Sequence, residues 1–88
     1  MKQNPNFLLR EVADTMVLVP VGEATKKYPG MITLNATGKF LWEALAAEQT
    51  TESLVAALLK EYAVDEATAG KDVEHFVQKL TSAGAVIL

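Results

Sequence analysis

The chain has no cysteine, so neither a disulfide framework nor a thiolate metal site can form, and a cytoplasmic setting is the natural expectation. It has a single histidine, His75, and no cysteine to pair with it as base and nucleophile. A metal site would need carboxylates beside that imidazole. Glu74 points away from His75 on a helix, while Asp72, three residues earlier, shares its face. The expected role of Asp72 and His75 is therefore a surface ion pair or cap, and no metal is expected. The carboxylate pairs Glu11/Asp14 and Glu61/Asp65 read as solvated charge. No glycine-rich loop follows a strand to open a helix, so nucleotide binding has no motif to stand on. No apolar run approaches the ~20 residues that cross a bilayer. The opening Met1–Asn6, with one charge and then a stretch broken by Arg10 and Glu11, does not read as a signal peptide. Catalysis needs a positioned nucleophile, base or metal, and the sequence argues against an enzyme and against any cofactor.

What remains is ordinary material for one small folded domain spanning residues 1–88. Half of the 88 residues are hydrophobic and 22% are charged, too apolar for disorder. The net charge of −3 is unevenly spread. Residues 1–34 hold Lys2, Arg10, Lys26 and Lys27 against Glu11, Asp14 and Glu23, whereas residues 35–88 hold four lysines against eight carboxylates. Nucleic-acid binders neutralise phosphates with Lys and Arg, and the second segment has the opposite sign. Lys26 and Lys27 beside Tyr28 are better read as solubilising loop charge, or contacts for an acidic partner.

The first third has strand character. Phe7–Val12 is short and apolar, and Thr15–Val19 is rich in β-branched residues and closes at Pro20. Together they predict a hairpin, although Ala13-Asp14 is a weak turn dipeptide. Val21–Pro29 reads as a mobile loop and Gly30–Leu34 as a third strand. Helical signals follow. Asn35 is a good N-cap for a helix to about Ala47 containing Phe40, Leu41, Ala44 and Leu45. Thr50 or Thr51 caps a second helix, in which Leu54, Leu58 and Tyr62 recur four apart. Asp65 caps a third, with Val73, Phe76, Val77 and Leu80 at amphipathic spacing. Gly84 stops it, and Val86-Ile87-Leu88 could add a terminal strand. Trp42 is expected in the core. The predicted fold is α+β: a small N-terminal three-stranded antiparallel sheet followed by a three-helix, winged-helix-like bundle.

Leu34-Asn35-Ala36-Thr37 opening a helix, then Trp42, then Thr51-Glu52-Ser53-Leu54 opening the next, resembles the pyrroloquinoline quinone biosynthesis protein D family. Asp72-Val73-Glu74-His75-Phe76-Val77, followed by Leu80 and Gly84, resembles it too. The likeness runs from Phe7 to Leu88 and lies in the order of several weak signals. Two departures stand out: a longer loop before Gly30, and Glu48-Gln49-Thr50 where a glycine is usual. The resemblance implies a recognition element for ribosomally made, post-translationally modified peptides. Such a domain captures the leader of a precursor peptide and presents it to a modifying enzyme, often a radical S-adenosylmethionine enzyme. It further implies that the leader adds as a strand to the edge formed by Gly30, Met31, Ile32, Thr33 and Leu34. The groove would be walled by the third helix, through Asp72, Val73, His75, Phe76 and Leu80. Val73, Phe76, Val77 and Leu80 must also hold the core, which leaves Lys71, Asp72, His75, Gln78 and Lys79 on the flanks as contacts compatible with solubility.

Two other readings compete. An exposed sheet edge can pair with a second copy, giving a structural subunit or homodimer. A winged-helix DNA-binding regulator would place one of the last two helices in the major groove. Residues 52–62 and 66–83 contain only Lys60, Lys71 and Lys79 as cations, and no arginine. The expected outcome of a gel shift with generic duplex at low salt is therefore no retardation; a clear shift would favour the regulator.

Overall fold

The computed structural model describes residues 1–27 and 30–88. Its architecture is mixed α+β. A three-stranded antiparallel sheet in the order β2 (Phe7–Val12), β3 (Thr15–Pro20), β4 (Ile32–Leu34) precedes the helices α2 (Ala36–Ala44), α3 (Thr51–Glu61) and α4 (Glu66–Ala83). A second small sheet pairs β1 (Lys2–Gln3) with β5 (Val86–Ile87). A single helical turn, α1 (Ala24–Lys27), lies between β3 and β4.

The hairpin turns at Ala13 and Asp14, which both adopt positive φ, 50° and 66°. This is what a type I′ turn needs to match the right-handed twist of its strands. Alanine occupies that region only at a cost, which is why the dipeptide looks weak in sequence. The pair Val12–Thr15 closes the turn. In a two-residue hairpin the closing pair exchanges both backbone hydrogen bonds, and bonded pairs alternate with non-bonded ones from there. Arg10–Val17 and Leu8–Val19 are then bonded, and Phe7–Pro20 falls at a non-bonded position. Proline's missing N–H is not needed there.

Side chains alternate about that ladder. Phe7, Leu18, Ile32 and Leu34 face the helices and are buried, with Leu9 and Met16 packed beside them. They meet Leu41, Trp42, Leu45, Leu54, Leu58, Ala69, Val73, Phe76 and Leu80 in one core. Trp42 is 3% exposed, as expected of core. On the outer face of the sheet, Leu8, Val12 and Met31 are exposed.

Each helix begins where its cap dictates. The Asn35 side-chain oxygen accepts the Gly38 N–H at 2.8 Å. Thr50, not Thr51, caps α3 in a reciprocal box: its hydroxyl accepts the Ser53 N–H at 3.0 Å, and the Ser53 hydroxyl accepts the Thr50 N–H at 2.8 Å. Asp65 accepts the Thr68 N–H at 2.7 Å. Gly84 ends α4 at φ 83°, the left-handed conformation that glycine adopts freely.

Several expectations need correction. The third strand is Ile32–Leu34, shorter than Gly30–Leu34, because Gly30 forms a bend and Met31 no regular structure. The first helix stops at Ala44 instead of near Ala47. The segment Val21–Pro29, expected to be loop, contains α1, where Ala24 is buried and the Thr25 hydroxyl donates to the Gly22 carbonyl at 2.7 Å. Tyr28 and Pro29 lie outside the described residues. The terminal strand forms, but on β1, whose two residues carry no strand signal in the sequence. Glu48-Gln49-Thr50, expected to be a turn, has no regular structure; the turn lies earlier, at Leu45 and Ala46, and side chains tie the segment to both helices. The Gln49 amide donates to the Ala44 carbonyl at 2.9 Å and accepts from the Ser53 hydroxyl at 2.7 Å.

Ala13→Asn relieves the left-handed strain and should stabilise the fold by about 1 kcal/mol, read as a higher denaturant midpoint; an unchanged midpoint would refute the strain. The Thr68 N–H holds the Asp65 pKa below the usual aspartate value. Its stabilising effect is therefore complete above the unfolded value of about 3.9 and disappears as pH falls through the lower folded value. Asp65→Asn caps without titrating, so its melting temperature should fall less than wild type between pH 5 and pH 2. Parallel acid profiles would mean that the cap contributes no pH-dependent stability.

Candidate functional site

The strand register decides which backbone groups of β4 are free. Met16–Leu34 and Leu18–Ile32 flank Val17–Thr33 in the β3–β4 ladder. On β3, the groups of Thr15, Val17 and Val19 turn toward β2, so those of Met16 and Leu18 turn toward β4. Ile32 and Leu34 are thus the bonded partners, and the N–H and C=O of Thr33 face away from the sheet. Met31, two residues earlier, lies outside the strand. No further strand lies on this edge among the described residues.

Beside the edge runs a cleft of about 320 Å³, lined by Thr33, Leu34, Asn35, Thr37, Gly38, Leu41, Asp72, His75, Phe76, Lys79 and Leu80. Such a volume is near the lower end of the about 300–1,000 Å³ typical of ligand sites, room for a few side chains. Its floor is the core itself: Leu34, Leu41, Phe76 and Leu80 are all buried. The close approach of α2 to β4 depends on Gly38. A Cβ there would lie 3.2 Å from the Asn35 side-chain oxygen and 3.3 Å from a Leu34 methyl.

One helix builds both floor and rim. Ala69, Val73, Phe76 and Leu80 form the buried stripe of α4. Asp72, His75 and Lys79 each precede a member of that stripe, so they follow it as an exposed rim at i, i+3 and i+7. The expected ion pair between Asp72 and His75 does not form. Among the described residues, the ion pairs are the Met1 ammonium with Glu48, and Lys26 with Glu23.

Of the edge and groove residues singled out in the sequence, Thr33, Leu34, Asp72, His75, Phe76 and Leu80 come together at the cleft. Val73 is wholly buried and Ile32 is 2% exposed, so both pack the core. Gly30 and Met31 are exposed beyond the end of the strand. Lys71 and Gln78 face a different trough, with Glu74 and Val77. Asn35, Thr37, Gly38 and Leu41 were missed as cleft residues. The sequence marks Asn35 as a cap, and nothing in helical periodicity says that the first turn of α2 reaches the β4 edge.

Among the described residues, no cluster of His, Asp or Glu is arranged to hold a metal ion, and no helix is long and apolar enough to cross a membrane. The cleft is bounded by an open strand edge and a helix. Fold and cleft define a class: small α+β domains whose sheet leaves one strand edge unpaired beside a helix-walled trough. The chain belongs to the family of coenzyme PQQ synthesis protein D (PqqD), whose model matches residues 15–86. It is also similar to the solved structure described as TbiB1 in complex with the TbiA(beta) leader peptide, at 25% identity and a TM-score of 0.74. That match covers 97% of this chain and 93% of the other. No curated protein matches the chain in sequence.

Proposed function

We propose that this domain captures the leader segment of a ribosomally made precursor peptide, by strand addition to β4, and presents it to a separate modifying enzyme, of which a radical S-adenosylmethionine enzyme is the leading candidate. The role is binding, not catalysis. The observation that carries it is the outward-facing N–H and C=O of Thr33 at an open edge, directly beside the trough walled by α4. Family membership supports the reading, as does likeness to a protein solved with a leader peptide.

The energetics explain why edge and trough are both needed. Thr33 offers two backbone bonds to a guest, each worth about 1 kcal/mol net. Together these fall short of the roughly 4 kcal/mol or more lost on association. Two or three apolar guest side chains, at about 1.5–3 kcal/mol each on burial, bring the sum toward micromolar binding, near −8 kcal/mol. Backbone pairing sets the alternation of the guest, and the floor of Leu34, Leu41, Phe76 and Leu80 selects its apolar positions.

Thr33→Pro provides the test. The Thr33 N–H is not used in the β3–β4 ladder, so the substitution should leave the helices folded by circular dichroism. It removes one guest bond and places a ring against the incoming strand, so leader affinity measured by calorimetry should fall at least tenfold. Wild-type affinity in that variant would overturn strand addition at β4.

A further inference from the structure

On the leader-binding reading, we propose that Asp72 and Lys79 set the direction and register in which the peptide lies. The peptide that fits carries a carboxylate beside Lys79, apolar side chains over the floor, and a basic side chain beside Asp72.

An open strand edge does not by itself choose a direction. A guest can pair antiparallel or parallel with only a slight difference in stability, and its side-chain alternation repeats every two residues, so a two-residue slip keeps the same faces. The apolar floor discriminates poorly as well, because burial of apolar surface is non-directional. Direction must come from groups that differ between the two ends of the cleft. The uncharged polar lining does not supply that difference: Thr33 and Thr37 carry similar hydroxyls, and the Asn35 side-chain oxygen is engaged by the Gly38 N–H.

The charged rim does differ from end to end. Asp72 and Lys79 are seven residues apart on α4, about 10 Å along a helix that rises 1.5 Å per residue, with His75 between them. They carry opposite signs, and neither is in an ion pair among the described residues. A peptide entering one way places its own charges in attraction at both ends; reversed, it places both in repulsion. Exposed pairs of this kind each change affinity by about threefold, so inverting one rim charge, from attraction to repulsion, amounts to roughly tenfold. The charged residues on the other side of α4, Lys71 and Glu74, line a different trough and provide the internal control.

The experiment is a display selection of random twelve-residue peptides on the wild-type domain, on the double variant Asp72→Lys/Lys79→Asp, and on Lys71→Glu. All the substitutions are at exposed positions, and folding is checked by circular dichroism. Wild type should enrich peptides with an acidic and a basic residue at a fixed spacing around apolar positions. The double variant should enrich the inverted order, and Lys71→Glu the wild-type order. Calorimetry of one selected peptide should show about tenfold weaker binding to Lys79→Asp alone. Identical peptides from wild type and the double variant, or charges at no fixed position, would overturn the proposal while leaving leader binding intact. Failure of every form to enrich any peptide would overturn leader binding itself, and this proposal with it.

Discussion

The two-residue turn at Ala13 and Asp14 sets the phase of the whole sheet. By making Val12–Thr15 a bonded pair, it determines which face of β3 each side chain takes and which neighbour each amide addresses. Two strands away, the same phase leaves the amide of Thr33 pointing outward and sends Ile32 and Leu34 inward. One residue more or less in the turn would move Ile32 and Leu34 out of the core and turn the Thr33 amide into the ladder. The strained alanine at φ 50° persists because the core would have to be dismantled to relax it.

α4 carries the second constraint. Its stripe of Ala69, Val73, Phe76 and Leu80 holds the core, and two members of that stripe also form the cleft floor. Truncating a buried phenylalanine or leucine costs about 2–5 kcal/mol, against a total stability of about 5–15 kcal/mol for a small domain. Floor residues are therefore constrained first by folding, and freedom to vary without unfolding the domain lies on the rim. Asp72, His75 and Lys79 occupy that position.

The long elements were legible because their signals repeat. Three capped helices and a hairpin follow from the spacing of Leu54 and Leu58, from Val73, Phe76 and Leu80, and from the β-branched run Thr15–Val19. The caps Asn35 and Asp65 and the stop at Gly84 are local chemistry and read directly. β1 and α1 were not legible, since two and four residues are too few to show a period. β1 is held mainly from outside, by the Gln3 side chain on the Trp42 carbonyl at 2.7 Å and the Asn4 N–H on the Ala85 carbonyl at 2.8 Å. The α4 half of the cleft could be anticipated from its amphipathic face and family likeness. The α2 half could not, because the approach of Gly38 to Leu34 is a tertiary fact.

β4 has only three residues, and this brevity limits what the edge can read. On the leader-binding proposal, the main chain would be held at Thr33 alone before the ladder runs out at Asn35, whose carbonyl already serves α2. Sheet-to-sheet growth between copies is starved by the same shortage. On the leader-binding proposal, most of a long peptide would extend beyond the edge, where its sequence could vary without altering the main-chain grip.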